Sequence, residues 1–308
     1  MPFRLDDYID GDVAYLAGLI IGRGTLSEVS GVRQLTIEFS YTALEVQGIK
    51  AVYASDVAVR LGLDDIRDRL QELLDTDISK VSRNGGVDLV VRFMRNSMIW
   101  RNIQLLTNGA TSYPYFEIPA VLFAQDLPTA WKREFVRGFA DVAGNVRLAN
   151  RYVDGRNRVR LDVLNYPSNW KLPVQLCRLL QEHLGVPVQL ITWGHPNMGR
   201  GFREHQLNVF ADAFLPIGFS MQHKQDILEE LAQANRVAFP NVTPAPCPGA
   251  RQLKTQKPVD EGESNLGKLD PQLVGKHFDA YWQICRELGC CRRPELGQQL
   301  ELLDDSGE

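Results

Sequence analysis

Five arginines stand between positions 147 and 160: Arg147, Arg151, Arg156, Arg158 and Arg160. Guanidinium groups at that density repel one another unless an anion lies against them, and their planar fork fits phosphate oxygens and the acceptor edge of guanine. Asp154-Gly155 among them is a two-residue turn signal. A hairpin closed there sets Arg151 opposite Arg158, Ala149 opposite Arg160 and Arg147 opposite Asp162. Strand alternation then places all five arginines on one face, with Val146, Leu148, Val159, Leu161 and Val163 on the other. A two-stranded ribbon of this kind fits a major groove, while the plainer reading is a solvated sheet face. Gln206 and Asn208 in a later strand, and Arg200 in the loop Gly194–Gly201, are further candidates to touch nucleic acid; that loop is equally read as plain surface. An earlier hairpin, turning at Ser30-Gly31, presents Thr25, Ser27, Gln34, Thr36 and Glu38. That face is polar without being basic, so Gln34 and Thr36 can read bases but supply no phosphate affinity.

A second chemistry is suggested by thiols. Of the five cysteines, Cys247, Cys285, Cys290 and Cys291 lie in the last quarter, with His277 nearby. Such ligands suit a tetrahedral zinc ion. His277 and Cys285 are eight positions apart, about 12 Å along a continuous helix, too far to share a metal unless the helix starts after His277. Cys285 with Cys290 or Cys291 is easier, and Cys285 beside Tyr281, Ile284 and Leu288 equally suits a buried thiol. Cys177, among Leu176, Leu179 and Leu180, reads as core.

The chain has 308 residues, 44% hydrophobic and 23% charged, which is enough for two domains or one duplicated unit. No apolar run approaches the roughly 18 residues of a membrane span, and the first residues lack an apolar signal core, so a cytoplasmic protein with no membrane partner is expected. Net charge is −4, which argues against a uniformly basic surface, but the acids crowd into 64–77 and 301–308 and leave the arginine-rich stretch apart.

The elements that must position these residues come in two similar series. The first runs helix (13–21), hairpin (25–29 and 32–39), helix (55–74), a second hairpin turning at Asn84-Gly85-Gly86, and helix (97–106). The second runs helix (129–142), hairpin (145–153 and 156–164), helix (170–184), strands (188–193 and 206–210), and a helix from His223. Each is αββαββα, giving expected units at 1–127 and 128–235, followed by a C-terminal extension, 236–308, with a short helix at 278–288 and an acidic tail.

The two leading helices align on their glycines: Gly18 with Gly138, and Gly24 with Gly144. A mid-helix glycine costs about 1 kcal/mol against alanine, so its recurrence points to close approach of two helix backbones; the terminal glycine permits a left-handed turn into the next strand. With Leu16-Ala17-Gly18-Leu19-Ile20 matching the motif's first five letters, Gly138, Asp141 and Gly144 retained in the second copy, and Ile217-Gly218-Phe219 with Lys224 closing it, residues 10 to 230 resemble the LAGLIDADG homing-endonuclease family. The resemblance implies an α+β fold, a duplicated αββαββα unit with saddle-shaped antiparallel sheets about a pseudo-twofold, acting as a monomer on double-stranded DNA. It also implies an acid before each terminal glycine, where paired carboxylates hold Mg²⁺ at the scissile phosphates. Those positions are Arg23 and Ala143, neither of which can hold a cation. Asp141 lies two residues earlier, roughly 200° round the helix, and suits a helix-end cap or an arginine pair. The family's basic residue is kept as Lys224. The expectation is therefore a double-stranded DNA-binding protein with lost or altered cleavage. The alternatives are a metal-dependent endonuclease whose carboxylates have moved, to Asp141, Glu28 or Asp12 with Lys224 assisting, and a protein-interaction scaffold.

Overall fold

The computed structural model describes residues 9–44, 56–112, 115–149, 156–164, 171–192 and 204–240. Asp10 starts helix α1 (Gly11–Arg23) by accepting a hydrogen bond from Val13 N at 2.8 Å. Ala14 through Gly22 are all buried, as expected of a helix that is apolar all round. Helix α5 (Thr129–Ala143) lies parallel against it, Gly11 facing Trp131 and Glu134, and Gly22 facing Phe139 and Val142. A Cβ on Gly18 would lie 2.0 Å from Phe135 O, and one on Gly138 would lie 2.2 Å from Tyr15 O. The glycines thus do what their spacing suggests, each admitting the other helix's main chain.

Gly24 and Gly144 do not take the left-handed turn expected of them. Their φ values are −87° and −99°, both extended. Glycine is required there for space, since a Cβ would come 2.6 Å from Ile20 O and 2.5 Å from Ala140 O.

Each helix feeds a four-stranded antiparallel sheet. The first contains β1 (Gly24–Val29), β2 (Val32–Ser40), β3 (Ile78–Arg83) and β4 (Gly86–Phe93), in the order β1-β2-β4-β3. The second contains β5 (Gly144–Arg147), β6 (Arg158–Leu164), β7 (Val188–Thr192) and β8 (Glu204–Phe210), in the matching order β5-β6-β8-β7. Period-2 alternation sends Leu35, Ile37, Leu89 and Val91 of the first, and Val159, Leu161, Leu207 and Val209 of the second, into one core with α1 and α5. Behind the sheets, α3 (Asp56–Leu74) buries Leu63, Ile66, Leu70 and Leu74, while α4 (Met98–Leu106), N-capped by Ser97, buries Trp100 and Ile103. Helix α6 (Lys171–Arg178) widens into a π turn at Leu179–His183, and α8 (Gln222–Ala238) ends the described chain. Two single-turn helices, α2 (Tyr41–Leu44) and α7 (Ala211–Phe214), have no periodic signal in the sequence.

The hairpin at Ser30-Gly31 forms in the expected register, Val29 facing Val32, with φ of 52° and 78° at the turn. The β5–β6 pairing differs from expectation. Arg147 faces Arg158 rather than Asp162, and the expected Asp154-Gly155 turn lies outside the described residues. The displacement is four positions, an even number, so every side chain keeps its expected face. Of the C-terminal extension, 236–240 are described and continue α8 to Ala238; its expected helix and Cys247, Cys285, Cys290 and Cys291 lie outside the described residues, as do Arg151 and Arg200.

Candidate nucleic-acid interface

The outer face of the second sheet carries Asn145 and Arg147 on β5, Arg158, Arg160 and Asp162 on β6, and Gln206, Asn208 and Phe210 on β8. Arg147 is exposed, Arg158 is 8% exposed and Arg160 half-buried. The four described guanidinium groups, of Arg147, Arg156, Arg158 and Arg160, therefore do not form the open ridge the sequence suggests. Arg158 Nε donates to Asn208 Oδ1 at 2.9 Å and its Nη1 to Leu148 O at 3.0 Å. Arg160 Nη2 and Asn145 Nδ2 each donate to Asp162 Oδ2 at 3.0 Å. The Arg156 guanidinium lies 4.7 Å from the Phe210 ring centre and 4.6 Å from that of Phe239, a cation held between two aromatic faces. Burial first, and then the charges of Arg160 and Arg147, push Arg158 down to about 10. Arg158 thus feels Arg160 and Arg147 across the face, and an anion brought beside it would relieve that repulsion.

On the first sheet, Gln34 Nε2 donates to Thr36 Oγ1 at 3.1 Å and both side chains are half-buried. Ser27, Val29, Val32, Gln34 and Arg92 line a groove of about 420 Å³. Arg92 stands opposite Gln34 and adds a cation to a face that the sequence reads as neutral. Alternation along Val87–Phe93 was the signal that could have found it. Arg83, by contrast, is tied to Glu38 at 3.3 Å and Asp88 at 2.6 Å.

Where β1 and β5 leave the two helices, the positions implied for paired acids hold Arg23 and buried Ala143. Arg23 Nη1 donates to Gly22 O at 2.7 Å and, across to the second sheet, to Asp162 O at 3.1 Å. A guanidinium at a helix C-terminus complements the helix dipole and sets positive charge where the resemblance implies an acid. These residues do not fit Mg²⁺. Lys224, fully buried at the start of α8, fills the corresponding role on α5, its Nζ donating to Asp141 O at 3.0 Å, Gly144 O at 2.9 Å and Ala140 O at 3.4 Å. Burial pushes Lys224 down to about 8, against the pull of the Asp141 charge.

The relocated-carboxylate candidates are held apart. Asp141 is fully buried and accepts from Tyr15 Oη at 2.7 Å and Ser220 N at 3.1 Å; neither a helix-end cap nor an arginine pair describes it. Burial raises its pKa, opposed by Lys224 and those bonds. Asp12 pairs with Arg69 at 2.6 Å at the opposite end of α1, and Glu28 with Arg33 at 3.2 Å on the β1–β2 hairpin. Among the described residues there is no group of three or more His, Cys, Asp or Glu that could hold a metal ion. Nor is any described helix long and apolar enough to cross a membrane. Cys177 is buried in the core, as its neighbours suggest. Tyr15→Phe, which takes one donor from a buried carboxylate, is expected to lower unfolding free energy by about 1–3 kcal/mol, read by urea denaturation.

Two glycine-packed helices, each leading into a four-stranded antiparallel sheet of the same strand order, define a duplicated LAGLIDADG-like α+β fold. No family model and no curated protein matches the sequence. Among solved structures the chain is similar to the homing endonuclease I-DmoI in complex with DNA and Ca, at 17% identity and a TM-score of 0.41 over 70% of this chain and 90% of that one. It is also similar to the N-terminal LAGLIDADG domain of DUF199/WhiA, at 13% identity and a TM-score of 0.36 over 75% and 84% of the two chains. Full-length DUF199/WhiA from Thermatoga maritima aligns at 14% identity and a TM-score of 0.40, over 99% and 92%.

Proposed function

We propose that the chain binds double-stranded DNA across the outer faces of its two sheets, and that it does so without a metal-dependent cleavage centre. The observation that carries the first part is the adjacency of Arg147, Arg158 and Arg160 on one sheet face, a cluster of guanidinium groups suited to phosphate oxygens. Gln206 and Asn208 beside them, and Gln34, Thr36 and Arg92 on the other sheet, supply the hydrogen-bonding groups that read base edges. The second part rests on Arg23 and Ala143 standing where acids would be, and on Asp12, Glu28 and Asp141 each being committed elsewhere. Charge is unequal between the sheets, so the second carries most of the affinity. The chain works as one molecule whose two units, 1–127 and 128–235, play unequal parts, with 236–308 as an extension.

Titrating a labelled duplex at increasing salt tests the reading. Affinity should fall linearly on a log–log scale, Arg147→Ala should reduce the slope by about 0.9 for one lost phosphate contact, and EDTA should leave the affinity unchanged. A flat salt response would overturn DNA binding. Nicking of supercoiled plasmid with Mg²⁺ or Mn²⁺, abolished by Asp141→Asn, would overturn the absence of cleavage.

A further inference from the structure

Near the end of α8, the side-chain amide of Asn235 is 1% exposed and bonded to the main chain of Asn157 in both directions. Asn157 N donates to Asn235 Oδ1 at 2.9 Å, and Asn235 Nδ2 donates to Asn157 O at 2.8 Å and to Asp212 Oδ1 at 2.9 Å. The amide pairs the Asn157 N–H just before β6 begins and shares the Asn157 C=O with Ala211 N, which donates to it at 3.0 Å. Asn157 extends the clamp through its own side chain: Oδ1 accepts from Ala149 N at 2.8 Å, and Nδ2 donates to Leu231 O on α8 at 3.4 Å. Arg158 Nη1 adds a bond to Leu148 O at 3.0 Å. Leu148 and Ala149 are thereby bonded to Arg158 and Asn157, and Asn157 is anchored on α8.

A buried asparagine serves packing poorly, because each polar atom must be matched or costs about 1–3 kcal/mol. Here Oδ1 and both protons of Nδ2 are matched, and two of those three bonds fix one backbone position. That position decides how the long β5–β6 connection leaves and rejoins the sheet. We infer that Asn235 is a positioning residue for DNA binding: through Asn157 it sets the direction in which the exposed Arg147 side chain leaves the sheet, so that Arg147 and the sheet face meet one duplex. The inference rests on the DNA-binding reading above. Its physical basis is preorganisation, since a guanidinium already held in place loses less freedom when a phosphate arrives.

A double-mutant cycle on the full chain tests it, read by fluorescence anisotropy of a labelled duplex at a temperature where circular dichroism shows every variant folded. Arg147→Ala should weaken binding about tenfold, Asn235→Ala about three- to tenfold, and Asn235→Ala should add almost nothing in the Arg147→Ala background. A merely structural role would lower Tm with affinity unchanged, or give equal losses in both backgrounds, and either result overturns the inference. If Asn235→Ala does not fold, Asn157→Ala takes its place in the cycle, cutting the side-chain bonds to Ala149 N and Leu231 O while leaving Asn235 and the Asn157 main chain intact. Failure of the unmodified chain to bind DNA overturns the DNA reading and this inference together, whereas binding by that chain with additive variants overturns this inference alone.

Discussion

Gly138→Val is expected to abolish the cooperative unfolding transition. A Cβ at Gly138 would sit 2.2 Å from Tyr15 O, and at Gly18 it would sit 2.0 Å from Phe135 O and 2.7 Å from Phe139 N. Removing a mid-helix glycine gains about 1 kcal/mol of helix propensity. The contact decides the sign against that gain, because the opposing atoms are main chain and can retreat only if the whole helix moves. Ordinary overpacking costs about 1–3 kcal/mol; here α1 and α5 hold the centre of the core, and a loss above about 4 kcal/mol is expected, most of the stability of a typical domain. Gly18→Ala should show the same effect in milder form. Urea denaturation followed by circular dichroism measures both, and a Gly138→Val melt within about 1 kcal/mol of the unaltered chain would show that the two helices are not in backbone contact.

Lys224→Ala is the second large effect. The ammonium is fully buried, closes three carbonyls at the end of α5, and lies beside the Asp141 charge. Truncation leaves those carbonyls unmatched and removes the cation nearest a buried carboxylate, which costs about 3–5 kcal/mol. The pH dependence is distinctive. Lys224 is held at about 8 against an ordinary 10.5, so between those values the unfolded chain keeps a proton that the folded chain has released. Stability contributed by this group is therefore lowest below pH 8 and rises towards 10.5. The raised carboxyl of Asp141 acts in the opposite direction, from its ordinary 3.8 upward, and the raised Tyr15 hydroxyl lowers stability only above its ordinary 10.0. Lys132, also lowered by burial, acts in the same direction as Lys224. The difference between the unaltered chain and Lys224→Met isolates Lys224: the variant should lack most of the rise between pH 8 and 10. Parallel pH profiles would refute the assignment.

Much of this arrangement was legible in the sequence because it depends on local chemistry. Gly18 and Gly138 announce the helix pair, Ser30-Gly31 announces its turn, and alternation assigns faces correctly even where the β5–β6 register is displaced. The register was misread because Asp154-Gly155 is a local signal, while the pairing of Arg147 with Arg158 is held by distant partners, Asn208, Leu231 and Asn235. The fate of the arginines was hidden for the same reason. Nothing in a run of alternating arginines says that one will be buried against an asparagine fifty positions away, or that another will be stacked between Phe210 and Phe239. Asp141 shows the same limit, because its partner Tyr15 belongs to the other leading helix. Arg92 and the absence of acids at Arg23 and Ala143 needed only the periodicity and the glycine alignment.

The glycine contact between α1 and α5 also constrains how the chain can change over generations. Ordinary core defects are repaired from next door: an enlarged side chain is accommodated when its neighbour shrinks. At Gly18 the three nearest atoms are main-chain atoms of Phe135 and Phe139, and at Gly138 they are main-chain atoms of Tyr15 and Leu19. Whatever side chains stand at those four positions, the clashing atoms stay the same. A screen for second-site suppressors of Gly18→Ala should therefore recover no compensating change at Phe135 or Phe139, only reversions or distant substitutions that raise stability generally. The two copies can drift apart in charge and in their helix-end residues, as they have, while this pair of positions is locked in each.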